Sequence, residues 1–150
     1  LPSQEGKMGG GTYALILHVP FDLQLKVGEL GVRNFRGGYY AYVGSALSGV
    51  EGRVRHHLRR GKPAHWHIDY LRMRARVVDL VKARSRTRKE CLVAGELRDL
   101  PSVEGFGSSD CNCPSHLFYS PDLHSLLERV LQAFKKAGLK PERGWEPLPG

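Results

Sequence analysis

Between Gly38 and Arg60 the apolar spacing of the chain changes from a period of two to a helical one, and no other feature of the sequence restricts the fold as tightly. Gly38-Tyr39-Tyr40-Ala41-Tyr42-Val43 alternates aromatic and β-branched residues with small ones, as a strand does. Gly44-Ser45 breaks that pattern, and Val50, Val54 and Leu58 then recur at i, i+4 and i+8, the narrow stripe of a helix packed on something apolar. A strand must therefore run almost directly into a helix that folds back on it. Strand side chains repeat every two residues, so Tyr40 and Tyr42 share one face of the sheet, and Arg53 and His57, four apart, share one face of the helix. Phenols at a strand end followed by a guanidinium and an imidazole suit the holding and cutting of a phosphodiester. A basic surface helix after an ordinary edge strand fits the same residues, and the stretch alone leaves both readings open.

Charge narrows the choice. The chain carries a net charge of +8 in 150 residues, which suits a polyanionic partner. Between Arg53 and Lys89 there are thirteen Lys or Arg against Asp69 and Asp79 alone, so the local excess of eleven exceeds the excess of the whole chain. Such clustering favours phosphate binding, with a solvated basic face as the alternative. Arg55, Arg59, Arg60, Lys62, His65 and His67 are the residues expected to meet nucleic acid. No apolar run approaches about 18 residues, so no membrane-spanning helix is expected. The first ten residues lack the apolar segment of a signal peptide, and three cysteines do not make a disulfide framework; both point to a reducing, cytoplasmic setting.

Size allows one domain with a real core. Residues 1–10 read as a disordered or vector-derived leader with Met8 as an available start, 11–138 as the domain, and 139–150 as a Pro-rich tail. Tyr13 to Val19 is nearly all apolar and reads as a buried central strand. Leu23, Leu25 and Val27 alternate with polar residues as a half-exposed second strand, and with the stretch at Gly38 the three predict an antiparallel meander. A short helix is expected to start near His65, with Trp66, Tyr70 and Met73 in line. Val77 to Val81 reads as a strand. Thr87 and Glu90 have capping-box spacing for a helix with Leu92, Val93, Leu97 and Leu100 on its apolar face. His116 to Tyr119 reads as an edge strand. Ser120 and Pro121 mark the start of an amphipathic helix through Leu123, Leu126, Leu127, Val130, Leu131 and Phe134 that Gly138 closes. The expected class is α+β: a small antiparallel sheet flanked by helices, with an added hairpin and a C-terminal amphipathic helix.

Gly11-Thr12-Tyr13, Tyr42-Val43-Gly44, Arg53 and His57 on the next helix, and Glu90 on a later one together resemble the GIY-YIG nuclease superfamily. Gly38 to Ser45, His65 to Leu71, Glu90-Cys91 and Gly105 to Tyr119 resemble, more closely, its small branch known as DUF123 or Uri-type, which is found in part attached to endonuclease III. The motifs run from Gly11 to about Tyr119. The resemblance implies a nuclease that hydrolyses DNA, single-stranded or irregular, in repair or processing and leaves 5′-phosphate and 3′-hydroxyl ends; RNA is the less favoured substrate, and a functional link to endonuclease III is implied. In that pattern Tyr13 helps to deprotonate the attacking water, Tyr42 orients it or contacts the phosphate, Arg53 holds the scissile phosphate, and His57 assists the base. Glu90 is the single carboxylate ligand of Mg²⁺ or Mn²⁺. Spacing alone does not separate Glu90 from Glu96; the family pattern does. The sequence departs from the wider superfamily in the spacing of Tyr13 and Tyr42, 29 residues apart with an extra hairpin between them, and in offering only Asn112, in a loop, as its site asparagine. A module that keeps the scaffold and binds nucleic acid without cutting is the rival reading.

Cys111, Cys113 and His116 are spaced to bind Zn²⁺, with Cys91 or a histidine as a fourth donor. Their spacing is tighter than a zinc finger's, and unliganded thiols packed in a loop are the favoured expectation. His65-x-His67-x-Asp69 offers another set of donors; near a helix start its histidines are expected to cap, pack or meet phosphate.

Overall fold

In a computed structural model, which describes residues 9–59 and 63–144, the apolar run after Gly10 forms β1 (Gly11–Val19) at the centre of a five-stranded antiparallel sheet. On one side β1 pairs along its whole length with β4 (Gly38–Ala46), from Gly11 opposite Ala46 to Val19 opposite Gly38. On the other it pairs with β5 (Arg76–Arg84), through a register shift at Ile16/Leu17. β6 (Leu117–Ser120) flanks β4, and β7 (Glu142–Arg143) flanks β5. The expected α+β class holds, with helices on both faces of the sheet.

The expected meander does not form. Both edges of β1 are taken by nine-residue strands, so β2 (Leu23–Lys26) has no edge to join. It pairs instead with β3 (Val32–Phe35), across a single 3₁₀ turn at Gly28–Leu30, as a separate two-stranded sheet. Val27 and Phe35 anchor this hairpin in the core.

Alternation along the strands divides the core in two. Tyr13, Leu15 and Leu17 of β1 and Tyr40 and Tyr42 of β4 face α1 (Val50–Leu58), α2 (His67–Arg72) and the hairpin. Ala14, Ile16, Ala41, Val43, Val81 and Ala83 face α3 (Glu90–Glu96) and α4 (Leu123–Lys136). Val50, Val54 and Leu58 are buried as the stripe requires. On α4, Leu126, Leu127, Val130 and Phe134 are buried as well; at about 1.5–3 kcal/mol for each large side chain, this helix is integral to the fold.

Helix starts differ from those expected. Ser120 is held in β6 opposite Tyr39, so Asp122 caps α4, its carboxylate accepting from Ser125 N at 2.8 Å. α3 begins at Glu90 after Lys89, not after Thr87, and Leu92 is exposed on it. α2 begins at His67 and buries Ile68 and Leu71, while Met73, past its end, is exposed. The Pro-rich end supplies buried Leu139 and strand β7, pinned where Arg143 Nε donates to Asp79 Oδ2 at 2.7 Å. The expectations for residues 1–8 and 145–150, and for Arg60 and Lys62, lie outside the described residues.

Candidate active site

β6 pairs with β4 only as far as Tyr42 opposite Leu117, and the next three residues of β4 border a cleft of about 270 Å³. The cleft lies at the end of the sheet where the two helical layers meet. Tyr13, Tyr42, Arg53, His57 and Glu90 all line it, as do His65 and His67. Five residues singled out across nearly eighty positions of sequence thus share one cavity.

The register explains the pair of tyrosines. Tyr13 lies opposite Gly44, and a Cβ on Gly44 would stand 2.6 Å from the Tyr13 Oη and 2.7 Å from its Cζ. Only glycine leaves room for the phenol to lie across the neighbouring strand. The Tyr13 and Tyr42 rings then sit 6.5 Å apart between centroids. Burial pushes the Tyr13 phenol well above its ordinary range, the Tyr42 phenol adds to this, and Arg53 opposes it. Burial likewise pushes Tyr42 up to about 12 against the pull of Arg53. Both phenols are therefore hydrogen-bond donors at neutral pH.

Tyr13 Oη lies 2.8 Å from His57 Nε2, and His57 Nδ1 lies 4.0 Å from Asp69 Oδ1, all three side chains being buried. The other oxygen of Asp69, Oδ2, accepts from His65 N and Trp66 N, each at 2.8 Å, and so fixes the start of α2. The Asp69 carboxylate stands at ion-pair distance beside Nδ1, where it favours a protonated ring, and Nε2 faces the phenol. This tyrosine–histidine–aspartate arrangement joins β1, α1 and α2.

Arg53 is held from two sides. Its Nη1 donates to Ser45 O at 3.3 Å, and its guanidinium lies over the Trp66 ring at 4.7 Å. Trp66 is wedged in turn among the rings of His56, His57 and His65. The planar fork is thus aimed before any ligand arrives.

Glu90 enters from the opposite layer. Ser45 Oγ donates to its Oε2, while its Oε1 lies 4.0 Å from Nη1 of Arg88. The Glu90 side chain is 15% exposed and Arg88 is 70% exposed, so the carboxylate is reachable from the cleft. Asp110, an exposed carboxylate on the far loop, lines the same cavity. Glu96, the other helical carboxylate weighed from sequence, does not line it.

His67 closes the loop side. Its Nδ1 accepts from Gly107 N at 2.8 Å, which requires a neutral ring, and burial followed by Arg33 lowers its pKa accordingly. Gly107 has φ +73°, and a Cβ there would meet the Tyr42 ring at 2.9 Å. Arg55 and Arg59 are exposed on and after α1 but do not line the cleft. Arg72 and Lys82 are buried, so the basic cluster is not one solvent-facing patch.

Beside Glu90, the side chains of Cys91, Cys111, Cys113 and His116 converge, their ligand atoms all within 4.8 Å of one another. Among the described residues this is the only group of three or more possible metal ligands that gathers; His65, His67 and Asp69 do not form one. His116 is buried, burial lowers its pKa, and Val43 O accepts from its Nδ1 at 3.1 Å. Sequence reasoning missed Ser45, Trp66, Arg88 and Asp110 as parts of the cleft or its supports, and it weighed Asp69 as a metal donor instead of as the partner of His57. Trp66 and Asp69 lie inside the His65–Leu71 motif, Ser45 ends the one at Gly38 and Asp110 lies in the one from Gly105, so the motifs were the signal that could have found them, while Arg88 lies in none.

No curated protein and no solved structure matches the chain significantly. The sequence model of a family described as a domain of unknown function, DUF123, matches residues 12–139. That span holds every residue lining the cleft and continues past Tyr119, where the recognisable motifs end, through α4. With most of its length matched, the chain belongs to the DUF123 family.

Proposed function

We propose that the protein is a metal-dependent nuclease of GIY-YIG type that hydrolyses phosphodiester bonds of DNA, single-stranded or irregular, in repair or processing. The observation that carries this reading is the convergence of Tyr13, Tyr42, Arg53, His57 and Glu90 in one cleft, with the Tyr13 phenol 2.8 Å from an imidazole. An isolated phenol is a poor base at neutral pH. Tyr13 is not isolated: as the water attacks phosphorus, the phenol takes the water's proton and passes its own to His57 Nε2, and the buried Asp69 stabilises the imidazolium. The P–O3′ bond breaks and the departing 3′-oxygen takes a proton from solvent water, leaving 5′-phosphate and 3′-hydroxyl ends. Arg53 holds the phosphate and offsets the charge that builds on it, pre-aimed by Trp66 and Ser45. Tyr42 donates a hydrogen bond to the phosphate or the water.

Glu90 fits the role of a lone ligand for Mg²⁺ or Mn²⁺, since it is reachable from the cleft and held by Ser45, and such hard ions keep most of their water. The bound ion would supply Lewis-acid stabilisation of the phosphoryl oxygens. Arg53→Ala and Glu90→Ala are each expected to abolish cutting, by at least about 100-fold, with the fold retained by circular dichroism. The test is a panel of labelled single-stranded, duplex, flap, abasic and RNA substrates with several divalent metals. Wild-type rates in Glu90→Ala would refute the assignment of that carboxylate.

One observation favours a second reading. Both phenols are held protonated, which suits donors to a bound phosphate in a module that grips nucleic acid without cutting it. Salt-sensitive retention of nucleic acid with no cleavage under any metal would select that reading.

A further inference from the structure

We infer that Cys91, Cys111, Cys113 and His116 form a closed Cys₃His site for Zn²⁺, whose role is to hold the walls of the cleft together. Tetrahedral zinc with bonds of about 2.3 Å to sulfur and about 2.1 Å to nitrogen requires nitrogen–sulfur edges of about 3.6 Å and sulfur–sulfur edges of about 3.8 Å. His116 Nε2 lies 3.4 Å from Cys111 Sγ and 3.8 Å from Cys91 Sγ, and all four ligand atoms fall within 4.8 Å of one another. The two nitrogen–sulfur separations match tetrahedral edges, and the bound of 4.8 Å leaves the sulfurs within about 1 Å of theirs, a gap that small side-chain rotations close on binding.

The imidazole is also oriented as a ligand. Its Nδ1 donates to Val43 O, which directs the Nε2 lone pair at the thiols, as backbone carbonyls do behind zinc-bound histidines. Three soft sulfur donors and one nitrogen select zinc over the hard ions suited to Glu90. With four protein donors the site has no open position, so its role is structural.

Its place gives it consequence. Cys91 follows Glu90 in the first turn of α3, Cys111 and Cys113 belong to the loop that carries Asp110, and His116 is tied to β4 through Val43. One ion at this point would bolt helix, loop and strand together around the Glu90 carboxylate.

The test uses the full chain, purified reduced and without chelator from zinc-replete medium. Elemental analysis is expected to find one zinc per chain, and mercurial titration of the thiols is expected to release it in full. Cobalt added to the apoprotein should give thiolate charge-transfer absorption and the intense bands of a tetrahedral centre. Cys113→Ser should lose the bound zinc, and stripping zinc from wild type should expose the 105–115 loop to limited proteolysis while the circular dichroism of the sheet persists. Absence of stoichiometric zinc, no tetrahedral cobalt spectrum, or full zinc retention in a folded Cys113→Ser overturns the inference. Metal content is read without any cleavage assay, so the nuclease reading stands or falls separately.

Discussion

Two single residues set the packing and the protonation of the cleft lining. At Gly44 even one methyl group collides with the tip and Cζ of the Tyr13 ring. Because that ring is buried against His57, it cannot swing aside freely. Gly44→Ala is expected to cost about 1–3 kcal/mol, as overpacked cores do, and to displace the Tyr13 phenol from His57. Chemical denaturation would measure the first effect and the cleavage rate the second; wild-type values of both would refute the packing argument. His67 contributes to acid sensitivity, as does His116, whose pKa burial also lowers. The folded pKa of His67 lies below the ordinary 6.5, so between 6.5 and that lower value the unfolded chain binds the proton and the folded chain does not. Stability therefore rises with pH across this window and is lost as the pH falls through it. His67→Gln, which keeps an acceptor for Gly107 N, is expected to flatten the fall in denaturation midpoint below pH 6.5.

At the scale of elements, the start of α3 shows a tertiary contact overriding local preference. Thr87 and Glu90 have the spacing of a capping box, yet the Glu90 carboxylate is turned to Ser45 in the cleft instead of back to its own helix. A capping rule written on one segment cannot include a partner 45 residues away. α2 combines the two demands in one carboxylate, since Asp69 caps the helix through Oδ2 and faces His57 through Oδ1. Asp69→Asn retains an oxygen for the cap but removes the charge beside the imidazole. We expect this variant to keep most of its stability, within about 1 kcal/mol of wild type, while its cleavage rate falls at least tenfold. Comparable losses in both would show that Asp69 serves the helix alone.

Across the whole molecule, thirteen cations concentrated between Arg53 and Lys89 should make nucleic-acid affinity fall linearly with log salt. Burial of Arg72 and Lys82 keeps the slope below what that count suggests, and a filter-binding series in salt would measure it. Much of the fold was legible in the sequence because it rests on short-range patterning. The apolar run of β1, the alternation up to Val43, the stripe on α1 and the amphipathic face of α4 each occupy one segment, and burial of apolar surface enforces them locally. Strand pairing was less legible, since alternation reports which face is buried but not which neighbour lies alongside; hence alternation alone misplaces the hairpin at 23–35 into the main sheet. For the site, the residue types and the family pattern pointed to Tyr13, Tyr42, Arg53, His57 and Glu90 from sequence alone. The contacts between Tyr13 and His57, between Ser45 and Glu90, and among Cys91 and the distant Cys111, Cys113 and His116 were settled only by tertiary structure. Each joins segments whose separation in sequence carries no information about their separation in space.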